Sequence, residues 1–233
     1  MLQFHLMSAH IMGKRQESSL RYLPSVNYGL SRNQSAEHIE RAVNYYDNGV
    51  VQTDAVIHDL LATLKAKNYL DHSLVVITGD HGESLGEHGL FAHANSVREE
   101  ALRVPLILLS YGYVPAPLPE HVPTASQVDI APTMLAELGF VRPRTWTGMA
   151  LQNFAGREFS YFQEGNDVGL IHNRDPQNLW KFWMNMKTQR QYAFNLSEDP
   201  HERHNAVDSL PAEYLKTLRL QRMQLRSVGM APQ

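Results

Sequence analysis

An acid and an imidazole stand side by side directly after an apolar run near residue 80. The run Leu74–Ile77 is rich in β-branched residues, as in a strand buried inside a sheet, and Asp80, His81 and Glu83 follow it in a glycine-containing loop. Open α/β folds place their sites where such strands end. Aspartate and histidine at a strand-to-loop corner suit a divalent ion. The alternative, in which Asp80 caps a helix and His81 is solvated, stays open on this stretch alone.

Other histidines could join this corner. His88 and His93 follow at close range, and His10 comes after Met1–Met7, an apolar segment that is typical of a strand. Such a strand would deliver His10 to a comparable edge of the sheet. Taken by itself, His10 is more typical of a turn histidine. Glu83 and His88 are weaker candidates, because loop capping or solvent exposure explains either of them as well.

The composition excludes several classes of protein. The chain has 233 residues, 43% of them hydrophobic and 19% charged, which is ordinary for a globular protein. A net charge of −3 gives no basic footprint for nucleic acid. No apolar run approaches the ~20 residues that a membrane span needs. Cysteine is absent, so disulfides and thiolate ligands are excluded, and the bacterial periplasm and the cytoplasm both stay open.

Hydrophobic periodicity predicts alternating strands and helices through the first part of the chain. Ala36–Asn68 carries an apolar stripe at helical spacing with Ser35 as its N-cap, and Asp47–Gly49 could break it into two helices. Leu106–Leu109 is typical of another buried strand, and Ser126–Leu138 of a further helix. A strand, a helix and a strand in that order indicate a right-handed crossover, and therefore a parallel sheet.

The character of the sequence changes after residue 140. Short β-like runs separated by Gly, Asn, Asp and Pro predict a small antiparallel sheet, and Pro211–Val228 predicts a closing amphipathic helix. We therefore expect one domain over residues 1–145 and a small α+β subdomain over residues 146–233. The predicted strands are Glu158–Phe162, Val168–His172, Leu179–Met184 and Gln191–Asn195.

Several segments resemble one known family in the same order along the chain. The stretch Ile77–Leu90 resembles the sulfatase signature of the alkaline-phosphatase superfamily. Matches in the family's order over nearly the whole chain are more specific than any one of them alone. The other segments are Tyr45–Gly49 with Asp54, Leu102–Ile107, Asp129–Leu135 and Tyr192–Glu202.

This resemblance implies a metal-dependent hydrolase of sulfuric esters. The expected fold is α/β, a mostly parallel sheet flanked by helices (alkaline-phosphatase-like, incomplete), with a small C-terminal antiparallel sheet plus helix. Asp80 and His81 match the later pair of the family's metal ligands, and the ion could be Ca, Mg, Mn or Zn. His10 and His93 match positions that contact the transferred group or the leaving oxygen, so they are the expected catalytic residues.

The sequence departs from the family's pattern at the nucleophile. In the family a Cys or Ser converted to formylglycine, or a Thr or Ser, precedes the region matched here, as does a first pair of acidic ligands. This chain has no Cys and no stretch before His10 that could hold them. We therefore expect the C-terminal portion of a longer protein, which is inactive alone and needs the N-terminal part for a complete site.

Three functions stay open on the sequence. The first is hydrolysis of a sulfate ester on a small molecule, a glycan or a lipid. The second is transfer of phosphoethanolamine or phosphoglycerol by the same fold, which His5–His10 and the pairing of Asp80–Glu83 with His93 also resemble. The third is a non-catalytic member kept as a binding or structural module. None of the three involves nucleic acid.

Overall fold

The structure, a computed structural model, describes residues 1–29, 33–94, 96–120, 122, 124–153, 157–173 and 177–229, with side chains through residue 223. The chain forms two compact units, an amino-terminal unit of residues 1–95 and 100–114 and a carboxyl-terminal unit of residues 96–99 and 115–233. Among the described helices, none is both long and apolar enough to cross a bilayer. The helices are α1 Ala36–Ala66, α2 Glu99–Leu102, α3 Ile130–Glu137 and α4 Ala212–Gly229, and the strands are β1 Ser73–Thr78, β2 Ser84–Leu85, β3 Phe91–Ala92, β4 Leu106–Tyr111, β5 Phe159–Glu164, β6 Asp167–Asn173, β7 Leu179–Asn185 and β8 Gln191–Asn195.

Helix α1 begins at its predicted cap and runs without interruption. The Ser35 hydroxyl accepts a hydrogen bond from His38 N at 3.3 Å, which satisfies one of the unpaired N–H groups of the first turn. Glu37 in the first turn and Lys65 in the last turn complement the helix dipole. The predicted break at Asp47–Gly49 does not occur.

The middle of α1 stays helical because its side chains pack against a preceding loop. Asn48 is fully buried, and its Oδ1 accepts from Arg21 N at 2.7 Å while its Nδ2 donates to Tyr22 O at 2.8 Å. A Cβ at Gly49 would lie 2.6 Å from Ser8 O, so a glycine is needed for this approach. Asparagine and glycine are weak helix formers, but here the tertiary contacts outweigh their propensity.

Strands β1 and β4 pair antiparallel, which corrects the expected parallel sheet. Ser73 lies opposite Tyr111 and Thr78 opposite Leu106. Every strand pairing among the described residues is antiparallel. The apolar runs predicted that these strands exist, but they carry no information on direction, because an apolar run has the same pattern from either end.

The segment Met1–Met7 is not a strand, contrary to the prediction. It takes part in no described ladder, and the side chains of Leu2 and Phe4 are exposed. A strand forms only where a neighbouring edge pairs its backbone N–H and C=O groups, and an apolar pattern does not supply that edge. The strand–helix–strand crossover inferred from this segment is therefore wrong for the described residues.

The carboxyl-terminal unit contains the small antiparallel sheet and closing helix that the sequence predicted. Strands β5 to β8 are neighbours in chain order, each antiparallel to the next. Leu218 of α4 packs into a core with Leu170, Phe182 and Ala193 from the sheet. The short runs and the turn residues between them were sufficient signals because hairpins are local structures.

A lysine on β7 lies inside the carboxyl-terminal unit with two acids. The side chains of Lys181 and Glu202 are both 0% exposed, and Lys181 Nζ lies 3.0 Å from Glu202 Oε1 and 2.7 Å from Glu99 Oε1. Burial raises the pKa of Glu202 above its ordinary value, although the Lys181 ammonium opposes this shift. Arg98 Nη1 donates to Glu202 O at 2.8 Å, so the cluster holds residues 96–99 in this unit.

Replacement of Lys181 by methionine should strongly destabilise the carboxyl-terminal unit. The substitution leaves the carboxylates of Glu99 and Glu202 without their cation, and breaking a buried ion pair in this way costs about 3–5 kcal/mol in the free energy of unfolding. Urea unfolding followed by tryptophan fluorescence measures this, because all three tryptophans lie in the unit.

Lys216→Met is the matched control for this substitution. The Lys216 ammonium pairs with Glu213 at 3.8 Å on the surface of α4, with both side chains mostly exposed. Such pairs contribute about 0–1 kcal/mol, so the control should unfold close to the wild-type midpoint. Equal losses in the two variants would show that the Lys181 cluster is not stabilising.

Candidate active site

The loop after β1 places Asp80 and His81 at the end of the strand. His81 Nε2 lies 3.8 Å from Asp80 Oδ2, and His5 Nε2 lies 4.0 Å from the same oxygen. The Asp80 side chain is 71% exposed, so the corner is open to a ligand. No described helix begins at Asp80, and the helix-cap interpretation of this residue is therefore excluded.

Asp80 is ionised at neutral pH. Partial burial raises the pKa of its carboxyl, but His81, the backbone N–H groups of residues 80 and 81, and His5 together outweigh burial. The pKa of Asp80 therefore lies below its ordinary value. An anionic oxygen next to an imidazole nitrogen fits a divalent ion, so this pair could supply two of its ligands.

Backbone contacts decide which nitrogen of His81 faces outward. His81 Nδ1 lies 2.9 Å from Gly82 O. A carbonyl oxygen only accepts hydrogen bonds, so Nδ1 carries the proton and Nε2 keeps its lone pair. This is the tautomer that metal coordination through Nε2 requires, because the other ring nitrogen donates to a neighbour.

Three imidazole rings lie in a row beside this corner. The ring centres of His81 and His93 are 4.1 Å apart, and those of His93 and His10 are 5.1 Å apart. The four residues predicted from sequence, Asp80 and these three histidines, are thus brought together in the amino-terminal unit. The roles assigned to these residues stay a prediction, whereas their proximity is a property of the structure.

Arg15 holds the loop that carries His10. Its guanidinium donates to the backbone oxygens of Ser8, His10 and Gly13, at 3.3 Å for His10 and 2.8 Å for Gly13. Its Nε donates to Tyr45 O at 2.8 Å, and the guanidinium carbon lies 3.9 Å from the centre of the Tyr45 ring. Sequence reasoning missed Arg15, because a single arginine in a polar loop has no spacing that reveals a partner.

Gly82 ties the site loop to the start of α2. Its backbone N donates to Ala101 O at 2.8 Å. A Cβ at this position would lie 2.0 Å from Glu100 O, which no other residue type could tolerate without displacing the backbone. The close approach therefore fixes the loop between His81 and Glu83.

Glu83 and His88, the weaker candidates, have different neighbours. The Glu83 side chain is 5% exposed, and its Oε2 lies 3.2 Å from His93 Nδ1. His88 Nε2 lies 3.6 Å from Glu100 Oε1. Of the two, Glu83 is in direct contact with a predicted catalytic residue.

Two tyrosines that the sequence gave no reason to select lie near Glu83. Burial raises the pKa of both Tyr28 and Tyr46, and the negative charge of Glu83 raises each of them further. Both hydroxyls are therefore protonated at neutral pH. Tyr28 belongs to the apolar core of the unit, where it packs against Phe91. Tyr46 lies in the segment Tyr45–Gly49 that resembles the family, but neither tyrosine has a spacing that points to Glu83.

One family model covers this corner and the elements that position it. The Sulfatase model matches residues 1–140. This chain belongs to the sulfatase family. The match includes α1, β1, β4 and all four of the predicted site residues.

Curated sulfatases resemble the chain over about three quarters of its length. The choline-sulfatase of Rhizobium meliloti (strain 1021) is 28% identical over 183 residues, which is 74% of this chain and 34% of that protein. Arylsulfatase K of Mus musculus is 34% identical over 189 residues, 72% of this chain and 32% of that protein. The chain thus spans about one third of the length of these relatives.

Solved structures show the same fold. One similar structure is a protein solved in complex with its substrate D-glucosamine-2-N,6-O-disulfate, with a TM-score of 0.65 and 24% sequence identity. The match covers 82% of this chain and 42% of that protein's chain. A putative sulfatase from Bacteroides fragilis has a TM-score of 0.65 at 20% identity, over 90% and 46% of the two chains. The phosphonate monoester hydrolase of Agrobacterium radiobacter has a TM-score of 0.60 at 17% identity, over 84% and 42%. The described chain therefore has part of the alkaline-phosphatase-like sulfatase fold.

Replacement of Gly82 by alanine should loosen the loop between His81 and Glu83. The added Cβ would collide with the backbone of Glu100, so the hydrogen bond to Ala101 O should open more often. Amide hydrogen exchange at residue 82 should become faster by about tenfold or more, which corresponds to about 1.4 kcal/mol.

Gly89→Ala is the control for backbone strain in the same loop. Its φ is +76° and no atom lies within 4 Å of the added Cβ, so it introduces strain of about 1–2 kcal/mol without a collision. Exchange at residue 82 should stay at the wild-type rate in this variant. An unchanged rate in Gly82→Ala itself would contradict the proposed role of the close approach.

Proposed function

We propose that this chain is the carboxyl-terminal part of a metal-dependent hydrolase of sulfuric esters. The observation that carries the proposal is the corner itself, with Asp80 Oδ2 and His81 Nε2 3.8 Å apart and the ring centres of His81 and His93 4.1 Å apart. An ionised carboxylate, an imidazole lone pair and further imidazoles at one exposed corner suit an ester that carries negative oxygens.

Each side chain of the corner has a distinct part in this proposal. Asp80 and His81 would hold the divalent ion, which could be Ca, Mg, Mn or Zn. When bound, such an ion neutralises charge on the ester oxygens and lowers the pKa of the nucleophile. His10 Nδ1 accepts from Met12 N at 3.1 Å, so a neutral His10 carries its proton on Nε2 and can donate it in a hydrogen bond to an ester oxygen.

The 233 residues by themselves hold only part of this machinery. The sequence has no cysteine for a formylglycine nucleophile, and the chain spans about one third of its curated relatives. We propose that catalysis needs a further polypeptide segment that supplies a nucleophile and two more acidic ligands. We also propose that residues 1–145 belong to the catalytic domain and residues 146–233 to a small subdomain.

The substrate proposed is an exposed sulfate ester on a small molecule, a glycan or a lipid. A choline-sulfatase among the relatives and a neighbour solved with a disulfated glucosamine both favour sulfated small molecules and sugars. A phosphorus ester, cleaved or transferred as phosphoethanolamine or phosphoglycerol, is the second candidate. The contact between Glu83 and His93 favours it, since that pairing accompanies the resemblance to the transferases, and a phosphonate monoester hydrolase shares the fold.

Replacement of Asp80 by asparagine should weaken divalent-ion binding by about tenfold or more, because the ion loses its anionic ligand. Titration with Mn²⁺ measures this through paramagnetic broadening of the resonances of His81 and its neighbours. Asp59→Asn is the control, since Asp59 and His58 form a similar adjacent pair, 3.2 Å apart and exposed on α1. If the wild-type chain shows no broadening at His81, Asp80 and His81 do not hold an ion by themselves, and the non-catalytic module is favoured.

The 233-residue chain alone should release no product from 4-nitrophenyl sulfate or 4-nitrophenyl phosphate. Positioning and charge stabilisation without a nucleophile leave only a small part of the rate enhancement. Co-expression with the proposed amino-terminal segment of the same protein should yield turnover that Asp80→Ala abolishes, and the better ester distinguishes the two candidates. Turnover by the chain alone that Asp80→Ala abolishes would overturn the inactivity proposed here.

A further inference from the structure

The carboxylate of Glu83 lies against one particular nitrogen of His93. Glu83 Oε2 is 3.2 Å and Oε1 is 3.3 Å from His93 Nδ1. A carboxylate only accepts hydrogen bonds, so Nδ1 must carry a proton for the contact to be favourable. A neutral His93 therefore carries its proton on Nδ1, and its Nε2 keeps a lone pair.

The environment of Glu83 makes this contact stronger than a surface ion pair. Its side chain is 5% exposed, and the charges nearby include no lysine or arginine within 4 Å among the described residues. Tyr28 and Tyr46, whose pKa values burial and the charge of Glu83 both raise, are neutral neighbours. His93 is therefore the partner of this buried carboxylate that can become cationic, whereas Tyr28, whose pKa a hydrogen bond to Glu83 also raises, stays neutral.

The neighbouring histidine has the opposite arrangement. His10 Nδ1 accepts from a backbone N–H, which places the proton of a neutral His10 on Nε2. His10 and His93, with ring centres 5.1 Å apart, therefore differ in the atom that carries the proton. One ring presents an N–H at Nε2, and the other presents a lone pair there until it is protonated.

We propose that Glu83 is a positioning residue that holds the Nδ1 proton of His93 and so leaves Nε2 as the ring nitrogen available to the ester. The catalytic meaning of this pair rests on the proposed function. As an oxygen nucleophile bonds to sulfur, the bond from sulfur to the alcohol oxygen breaks and its electron pair stays on that oxygen. With Nδ1 held against Glu83, Nε2 is the nitrogen of His93 that is left to meet this oxygen.

The test is the tautomer of His93 in the intact 233-residue chain. Two-bond ¹H–¹⁵N correlation of uniformly ¹⁵N-labelled protein, recorded with a chelator at a pH where His93 is neutral, distinguishes a protonated Nδ1 from a protonated Nε2. The wild-type ring should carry its proton on Nδ1. Glu83→Met, which keeps the length of the side chain and removes both oxygens, should lose the Nδ1-protonated form as the major species.

Glu87→Gln is the matched control from the same loop. The Glu87 carboxylate accepts from Leu85 N at 2.6 Å, so this variant changes a loop acid without touching His93. The control should keep the wild-type tautomer. A wild-type His93 protonated on Nε2 overturns the proposal, and it does so even if Glu83→Met fails to fold. A folded Glu83→Met with its proton still on Nδ1 overturns it as well.

These outcomes are separate from those of the proposed function. The tautomer is measured without a metal ion and without substrate, whereas Mn²⁺ broadening at His81 reports on the ion site. A chain that keeps Nδ1 of His93 protonated through Glu83 but binds no ion supports the positioning role and counts only against ion binding by Asp80 and His81.

Discussion

The site depends on a close approach between two backbone segments at Gly82. The N–H of Gly82 donates to Ala101 O, and the absence of a side chain lets Glu100 O come within a distance that a Cβ would forbid. Because His81 and Glu83 flank this glycine, the same contact orients a candidate ion ligand and the carboxylate that pairs with His93.

Hydrogen-bond partners, more than ring positions, set what the three histidines can do. His81 Nδ1 faces a carbonyl oxygen, His93 Nδ1 faces a carboxylate and His10 Nδ1 faces a backbone N–H. The first two rings therefore keep a lone pair on Nε2 when neutral, and the third keeps a proton there. One corner therefore offers both a nitrogen lone pair and a hydrogen-bond donor. The proposed hydrolysis of an anionic ester at a bound ion would use both.

The two compact units are stabilised by different means. The carboxyl-terminal sheet contains a buried ammonium, Lys181, that is matched by two carboxylates, and removal of the lysine would leave both of them without their cation. In the amino-terminal unit, side-chain amide and guanidinium groups donate hydrogen bonds to backbone oxygens instead, as Asn48 and Arg15 do. These groups join the loops before α1 to that helix.

The sequence alone determined much of the local structure. Capping by Ser35, the strand at residues 73–78, the four short strands of the carboxyl-terminal sheet and the proximity of Asp80 and His81 all follow from neighbouring residues. Only the tertiary structure decided the antiparallel pairing of β1 with β4, the unbroken course of α1 through Asn48, and the contact of Glu83 with His93. Each of these depends on which distant group reaches a backbone edge or a buried side chain, and no local pattern records that choice.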